Sequence, residues 1–179
     1  MNRTARVAAI ALALGGAVDC VAMVAADAAQ PLPEFTQDQA PQWLNSAPLK
    51  ANDLVGSVVL LDFWTFECWN CYRSIPWLKQ VEQRLAAKGL RVVGIHTPEF
   101  DRERVRASVA AKLKQFGVAH PVMLDNDYRY WNALGNQYWP AYYLVDRKGR
   151  LRALFVGETH TGDAQALRIE ADLITLLAE

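Results

Sequence analysis

The sequence predicts a mixed α/β sheet with helices on both faces, and three observations carry that prediction. Val58 to Trp64 (VVLLDFW) is a continuous apolar run holding one acid, the pattern of a strand buried on both sides. Ile75, Leu78, Val81 and Leu85 then recur at helical spacing until Gly89, a residue suited to ending a helix. The same strand-to-helix alternation repeats downstream before giving way to a hairpin and a last helix. A chain of 179 residues, 52% of them hydrophobic, suits one domain with a sizeable core.

In chain order, Met1 to Arg6 carries Arg3 and Arg6 without an acid, and Val7 to Val18 is an unbroken run of Ala, Val, Ile, Leu and Gly. This is the layout of a secretory signal, so residues 1–28 are expected to be a cleaved signal peptide and the protein periplasmic or otherwise exported. Asp19 closes the apolar run after about a dozen residues, short of the roughly 20 needed to span a bilayer. Ala26-Asp27-Ala28 and Cys20-Val21-Ala22 both offer small residues for cleavage, and either cut removes Cys20. The charged Asp19 argues against Cys20 as an acylated residue.

Residues 29–179 are expected to form the domain. Gln30 to Leu49 reads as an extended lead-in pinned by Trp43 and Leu44, followed by the VVLLDFW strand and its helix. Leu90 to Ile95 is a second strand, and Asp101 to Phe116 a helix with Val105, Val109 and Leu113 on one face, ended by Gly117. Pro121 to Leu124 is a short strand and Tyr128 to Leu134 a brief helix. Ala141 to Val145 and Leu151 to Val156 flank Asp146-Arg147-Lys148-Gly149, a hairpin turn by its Asp and Gly. Asp163 opens a closing amphipathic helix bearing Leu167, Ile174 and Leu177.

Charge narrows the function. With 19 basic and 19 acidic residues there is no excess of Lys and Arg for a nucleic-acid groove or a polybasic membrane surface. Three cysteines are too few for a stapling framework, which directs attention to the C-x-x-C pair Cys68 and Cys71 at the junction of the central strand with its helix. A thiolate, not a thiol, attacks a disulfide. At the first turn of a helix Cys68 meets free N–H groups and the positive dipole end, worth up to about 2 kcal/mol, which can bring a thiol from near 8.5 to about 7. Cys71, one turn further in, is placed to attack the resulting mixed disulfide. A stapling role is weak, because so small a loop gains little from closure. Zinc would need a second pair of ligands, whereas His96, His120 and His160 stand singly, so no metal or cofactor is expected.

In LLDFWTFECWNCYRSIP the strand, its Asp62, Trp64, the cysteine pair and a Pro76 five residues after Cys71 fall at the spacing of the thioredoxin-like superfamily, which the chain resembles. Trp139-Pro140 ahead of AYYLVD matches the place where thioredoxins carry a cis-proline. The stretches PEFTQ, WLNSAPL, LDFWTFECWNC, HTPEF, LDNDY and GNQYWPAYYLVD resemble the TlpA/AhpC-TSA-type branch, and in particular the thioredoxin-like domain fused to DipZ-type membrane electron carriers. The resemblance implies a thioredoxin fold with an N-terminal extension and an insert before the cis-Pro strand. It implies a thiol:disulfide oxidoreductase that reduces protein disulfides, in cytochrome c maturation or envelope thiol repair, with electrons from a membrane donor of the DsbD/CcdA type. The transmembrane helices of the DipZ type are lacking here, so a free-standing relative is expected.

The resemblance also sets Asp62 beneath the buried cysteine. Burial would raise its pKa and make it a proton acceptor for Cys71. Trp139, Pro140, Trp69 and Trp64 are the expected substrate-binding residues. Glu67 would oppose a thiolate at Cys68 if it faced it, or be solvated. Two alternatives stay open: a peroxiredoxin-like peroxidase, since Thr65 and Cys68 satisfy T-x-x-C although Leu61 stands where that family wants Pro, and a non-catalytic metal-binding module.

Overall fold

The computed structural model describes residues 29–179. The signal peptide expected over residues 1–28, and Cys20 within it, lie outside the described residues. Six strands form one sheet in the order β1-β4-β3-β2-β5-β6: Trp43–Leu44, Val58–Trp64, Leu90–His96, Val122–Leu124, Ala141–Val145 and Leu151–Val156 for β1 to β6. Strands β2, β3 and β4 run parallel, while β1, β5 and β6 pair antiparallel to their neighbours. This is the expected thioredoxin-type mixed sheet, and the run VVLLDFW is its centre, buried at every position.

Alternation along β2 divides the core into two layers. Val58 and Leu60 face α1 (Trp69–Leu85) and α4 (Ala164–Ala178), packing on Leu78, Val81, Ile169 and Leu173. Val59, Leu61 and Phe63 face the opposite layer, where Leu32 and Phe35 of the lead-in, Leu54, and Tyr130 and Trp131 of α3 (Arg129–Ala133) cover the sheet. The lead-in thus does what a helix does on the other face. Trp43 and Leu44 pin it as expected, and they also add a strand, since the two residues pair with Val122 and Met123 at the sheet edge.

Two expectations change. The predicted helix over 101–116 is a 3₁₀ turn, Asp101–Arg104, followed by α2, Arg106–Phe116. Val105 between them is extended and exposed, so only Val109 and Leu113 reach the core. The break follows from Glu103, whose buried carboxylate accepts the N–H groups of Glu99 and Phe100 and folds the segment back before a helix can start. In α4 the buried stripe is Ala166, Ile169, Leu173 and Leu176, whereas Leu167 and Ile174 are 60% and 55% exposed. Two apolar stripes lie one position apart here, and docking selects between them. Glu170 accepts from Trp77 Nε1 at 3.0 Å and pairs with Arg84 across the α1–α4 seam, which rotates Leu167 and Ile174 outward.

Candidate active site

The C-x-x-C pair sits where β2 ends and α1 begins. Cys68 is the N-cap of α1, and its Sγ accepts the Cys71 N–H at 3.1 Å. The cap is therefore a sulfur in the place usually held by a hydroxyl or carboxylate oxygen, with a first-turn donor aimed at it. A negative charge on Cys68 would be stabilised by that donor and by the helix dipole. The two cysteines are joined as a disulfide, with Cα atoms 5.2 Å apart. They differ in access: Cys68 is half-buried, whereas Cys71 is 3% exposed and packs on Trp64, Val109, Leu113 and Val122. Cys68 is thus the more accessible member of the pair, and Cys71 the buried one.

Asp62 lies on the face of β2 that also carries Leu60 and Trp64, turned toward α1. It is only 6% exposed, and its Oδ1 has no hydrogen-bond partner. Burial pushes its carboxyl up to about 7, partly offset by the charge of His120. An acid poised there can take up or release a proton near neutral pH.

The Trp139–Pro140 bond is cis. Pro140 is buried, and its carbonyl accepts from Gly157 at 2.9 Å. Trp139 is held by its indole N–H, which donates to the Thr97 carbonyl at 3.1 Å, and by Trp131, 4.3 Å away between ring centroids. It packs against the same apolar cluster as Cys68. Asp125 organises this wall from behind: its buried carboxylate accepts the N–H groups of Tyr130 and Trp131 at 3.0 and 2.9 Å and faces the Thr97 hydroxyl at 3.3 Å.

Trp69 is 65% exposed and stacks on Tyr72, which in turn meets Phe116, so three aromatic rings form a surface beside the pair. A groove of about 650 Å³ continues from it along α1, lined by Ile75, Pro76, Lys79 and His160. Trp64 does not belong to this surface. It is buried in the layer under α1, so the expected contact with substrate is replaced by packing against Cys71.

Sequence reasoning missed the group that shapes the loop before Cys68. Glu103, fully buried, accepts the Glu67 N–H at 2.9 Å and the Thr65 hydroxyl through one oxygen, and two N–H groups of the following loop through the other. Four donors offset the cost of burying the charge. Nothing in PEFDRERV distinguishes this acid from its exposed neighbours, so no local signal could have found it. Thr65, the threonine of the T-x-x-C spacing, thereby turns its hydroxyl to Glu103, with His96 Nε2 at 3.3 Å. Burial pushes His96 down to about 4 and keeps it neutral. Glu67 proves to be paired: Arg102 grips its carboxylate with two hydrogen bonds and holds it below the usual carboxylate range. Its charge is offset beside the nucleophile. His120 and His160 also take single acidic partners, Glu82 and Glu158. Among the described residues no three His, Cys, Asp or Glu side chains gather as a metal site, and no helix is long and apolar enough to cross a membrane.

Comparison with known proteins gives the same picture. The Redoxin family model matches residues 27–171. Protein DipZ of Mycobacterium bovis is 42% identical over 119 residues, which cover 65% of this chain and 17% of DipZ, so the chain corresponds to a small part of that relative. The thiol-disulfide oxidoreductase YkuV of Bacillus subtilis is 27% identical over 72% of this chain and 84% of its own length. Among solved structures, a thiol:disulfide interchange protein DsbE from Chlorobium tepidum superposes with a TM-score of 0.68 at 26% identity, covering 83% of this chain and 96% of that one.

Proposed function

The chain belongs to the Redoxin family, in its thioredoxin-like, TlpA-type branch, and from that premise we propose that it is an exported thiol:disulfide oxidoreductase that reduces protein disulfides. The observation that carries this reading is the asymmetry of the pair: a reachable Cys68 capping α1, and a buried Cys71 on the layer that also holds a buried carboxyl with one partnerless oxygen.

In the reduced enzyme the Cys68 thiolate attacks one sulfur of a substrate disulfide, and the other substrate sulfur leaves with the electron pair. Cys71 then loses its proton to Asp62 and attacks Cys68 Sγ, the bond from Cys68 to the substrate breaks, and the substrate departs as a dithiol. Two electrons have moved to the substrate, and the pair is left as the disulfide seen here. Trp139, Pro140 and Trp69 are the residues proposed to meet the substrate, an extended segment lying across Cys68. Re-reduction falls to a membrane dithiol donor of the DsbD/CcdA type, and cytochrome c maturation or envelope thiol repair is the process served. Residues 1–28 act as the cleaved export signal and 29–179 as the working domain.

The reduction potential of Cys68/Cys71, measured by equilibration against a thiol buffer, tests the direction. A value near the thioredoxin end of the scale, about −270 mV, supports a reductase, and one near about −120 mV would reverse the assignment.

A further inference from the structure

The resolving step requires Asp62 to be ionised before it can take a proton, and the structure supplies a side chain able to govern that. His120 lies just ahead of β4, buried, on the α1 side of the sheet. Its Nδ1 is 3.1 Å from Oε2 of Glu82, a partly exposed residue of α1, and its carbonyl accepts from Asn45 Nδ2 at 3.0 Å. The other ring nitrogen faces Gly94. A Cβ built on Gly94 would stand 3.5 Å from His120 Nε2, 3.1 Å from Trp64 Nε1 and 3.0 Å from Val122 Cγ2. Gly94 is also the residue paired with Asp62 across β2 and β3. The missing side chain therefore lets an imidazole and an indole close in on the backbone of the residue that pairs with Asp62. Neither Asp62 Oδ1 nor Trp64 Nε1 has a hydrogen-bond partner there.

We propose that His120, anchored by Glu82, is a positioning residue for the resolving step: in its protonated form it holds Asp62 as a carboxylate and so sets the pH range in which Cys71 can be deprotonated. This rests on the reading of Asp62 as the proton acceptor. The remaining groups on this face do not supply the charge. Tyr142 of β5, paired with Asp62 across the sheet, has its phenol held well above its ordinary value by burial and stays neutral, with Asp163 at the head of α4 adding only negative charge near it. His96 of β3 is neutral and turned toward Thr65. Lys79 of α1 ends on the Phe116 carbonyl. Among the described residues, His120 is the group on this face whose positive charge, when the imidazole carries its second proton, favours an ionised Asp62.

The test uses the full chain with His120→Asn, Glu82→Gln and each of these combined with Asp62→Asn. The Asp62 titration is followed by carboxyl-carbon NMR, and resolution of a preformed Cys68 mixed disulfide is timed across the neutral pH range. His120→Asn is expected to move the Asp62 midpoint upward by about half a unit to one unit, lowering the ionised fraction and the resolution rate at pH 7 about two- to five-fold. Glu82→Gln, which leaves the imidazole in place, moves the midpoint in the same direction by less. First attack by Cys68 is unchanged in both, and in the Asp62→Asn background neither variant alters resolution. An Asp62 midpoint unmoved in both variants overturns the role of His120, even if Asp62→Asn slows resolution. Equal slowing with and without Asp62 also overturns it, by exposing a merely structural effect. A midpoint that moves while resolution is indifferent to Asp62→Asn removes the proton-acceptor reading itself, and the proposal falls with it.

Discussion

Replacing Asp62 by Asn should stabilise the fold at alkaline pH and do little at acid pH. The carboxyl is buried, has a partnerless oxygen, and is pushed from 3.8 to about 7 chiefly by desolvation. An acid whose folded pKa lies above its unfolded value binds its proton more tightly in the folded state. Its unfavourable contribution is therefore absent below the unfolded pKa, grows as pH rises from about 4 to about 7, and stands in full above that. About three pKa units at 1.36 kcal/mol each amount to about 4 kcal/mol, of which about 2.5 to 3 kcal/mol accrue between pH 5 and pH 8. Urea unfolding of the oxidised wild type and Asp62→Asn, followed by tryptophan fluorescence at those two pH values, isolates the contribution of Asp62 and whatever is coupled to it, because the uncoupled titrations are common to both proteins and cancel. The advantage of Asn should grow by about 2.5 to 3 kcal/mol from pH 5 to pH 8. A stability difference that is the same at both pH values would refute the buried, raised carboxyl and with it the physical basis for proton transfer from Cys71.

Glu103→Ala should cost about 3 kcal/mol or more in urea unfolding, because it leaves four donors around the Thr65–Phe100 loops without their acceptor; a loss under about 1 kcal/mol would show that the loops find other partners. Gly94→Ala should destabilise by about 1–3 kcal/mol, since its Cβ would press on Val122 and on the Trp64 indole, and an unchanged unfolding midpoint would argue against so tight a space. Arg102→Ala frees the Glu67 charge beside the nucleophile, so the thiolate absorbance of reduced Cys68 should appear at higher pH than in wild type; an identical titration would place Glu67 too far away to matter. Trp69→Ala should leave stability within about 0.5 kcal/mol, its ring being largely exposed, yet raise KM for a protein disulfide; an unchanged KM would remove Trp69 from the substrate surface.

What the sequence made legible follows from how local each signal is. The run VVLLDFW announces a strand buried on both faces because nothing but that environment suits seven such residues. The cysteine spacing, read with the strand before it and the helix after it, located the redox pair, and Gly89 and Gly117 marked helix ends at positive φ. The failures are tertiary. Leu167 and Ile174 form as good a stripe as the one α4 buries, and only the Trp77–Glu170 contact decides between them. Trp64 was legible as an aromatic near the pair, but not as a residue under it. Glu103, Arg102 and the His120–Glu82 pair act across 35 to 38 residues of chain, where no periodicity reaches.

The central claim is that Cys68 attacks a protein disulfide and Cys71 resolves the product. Its most direct measurement is incubation of reduced Cys71→Ser with an oxidised protein substrate, followed by non-reducing electrophoresis and mass spectrometry of the adduct. A stable mixed disulfide on Cys68 is expected, absent from Cys68→Ser and short-lived in the wild type. A Cys71→Ser protein that forms no adduct on Cys68 would contradict the claim.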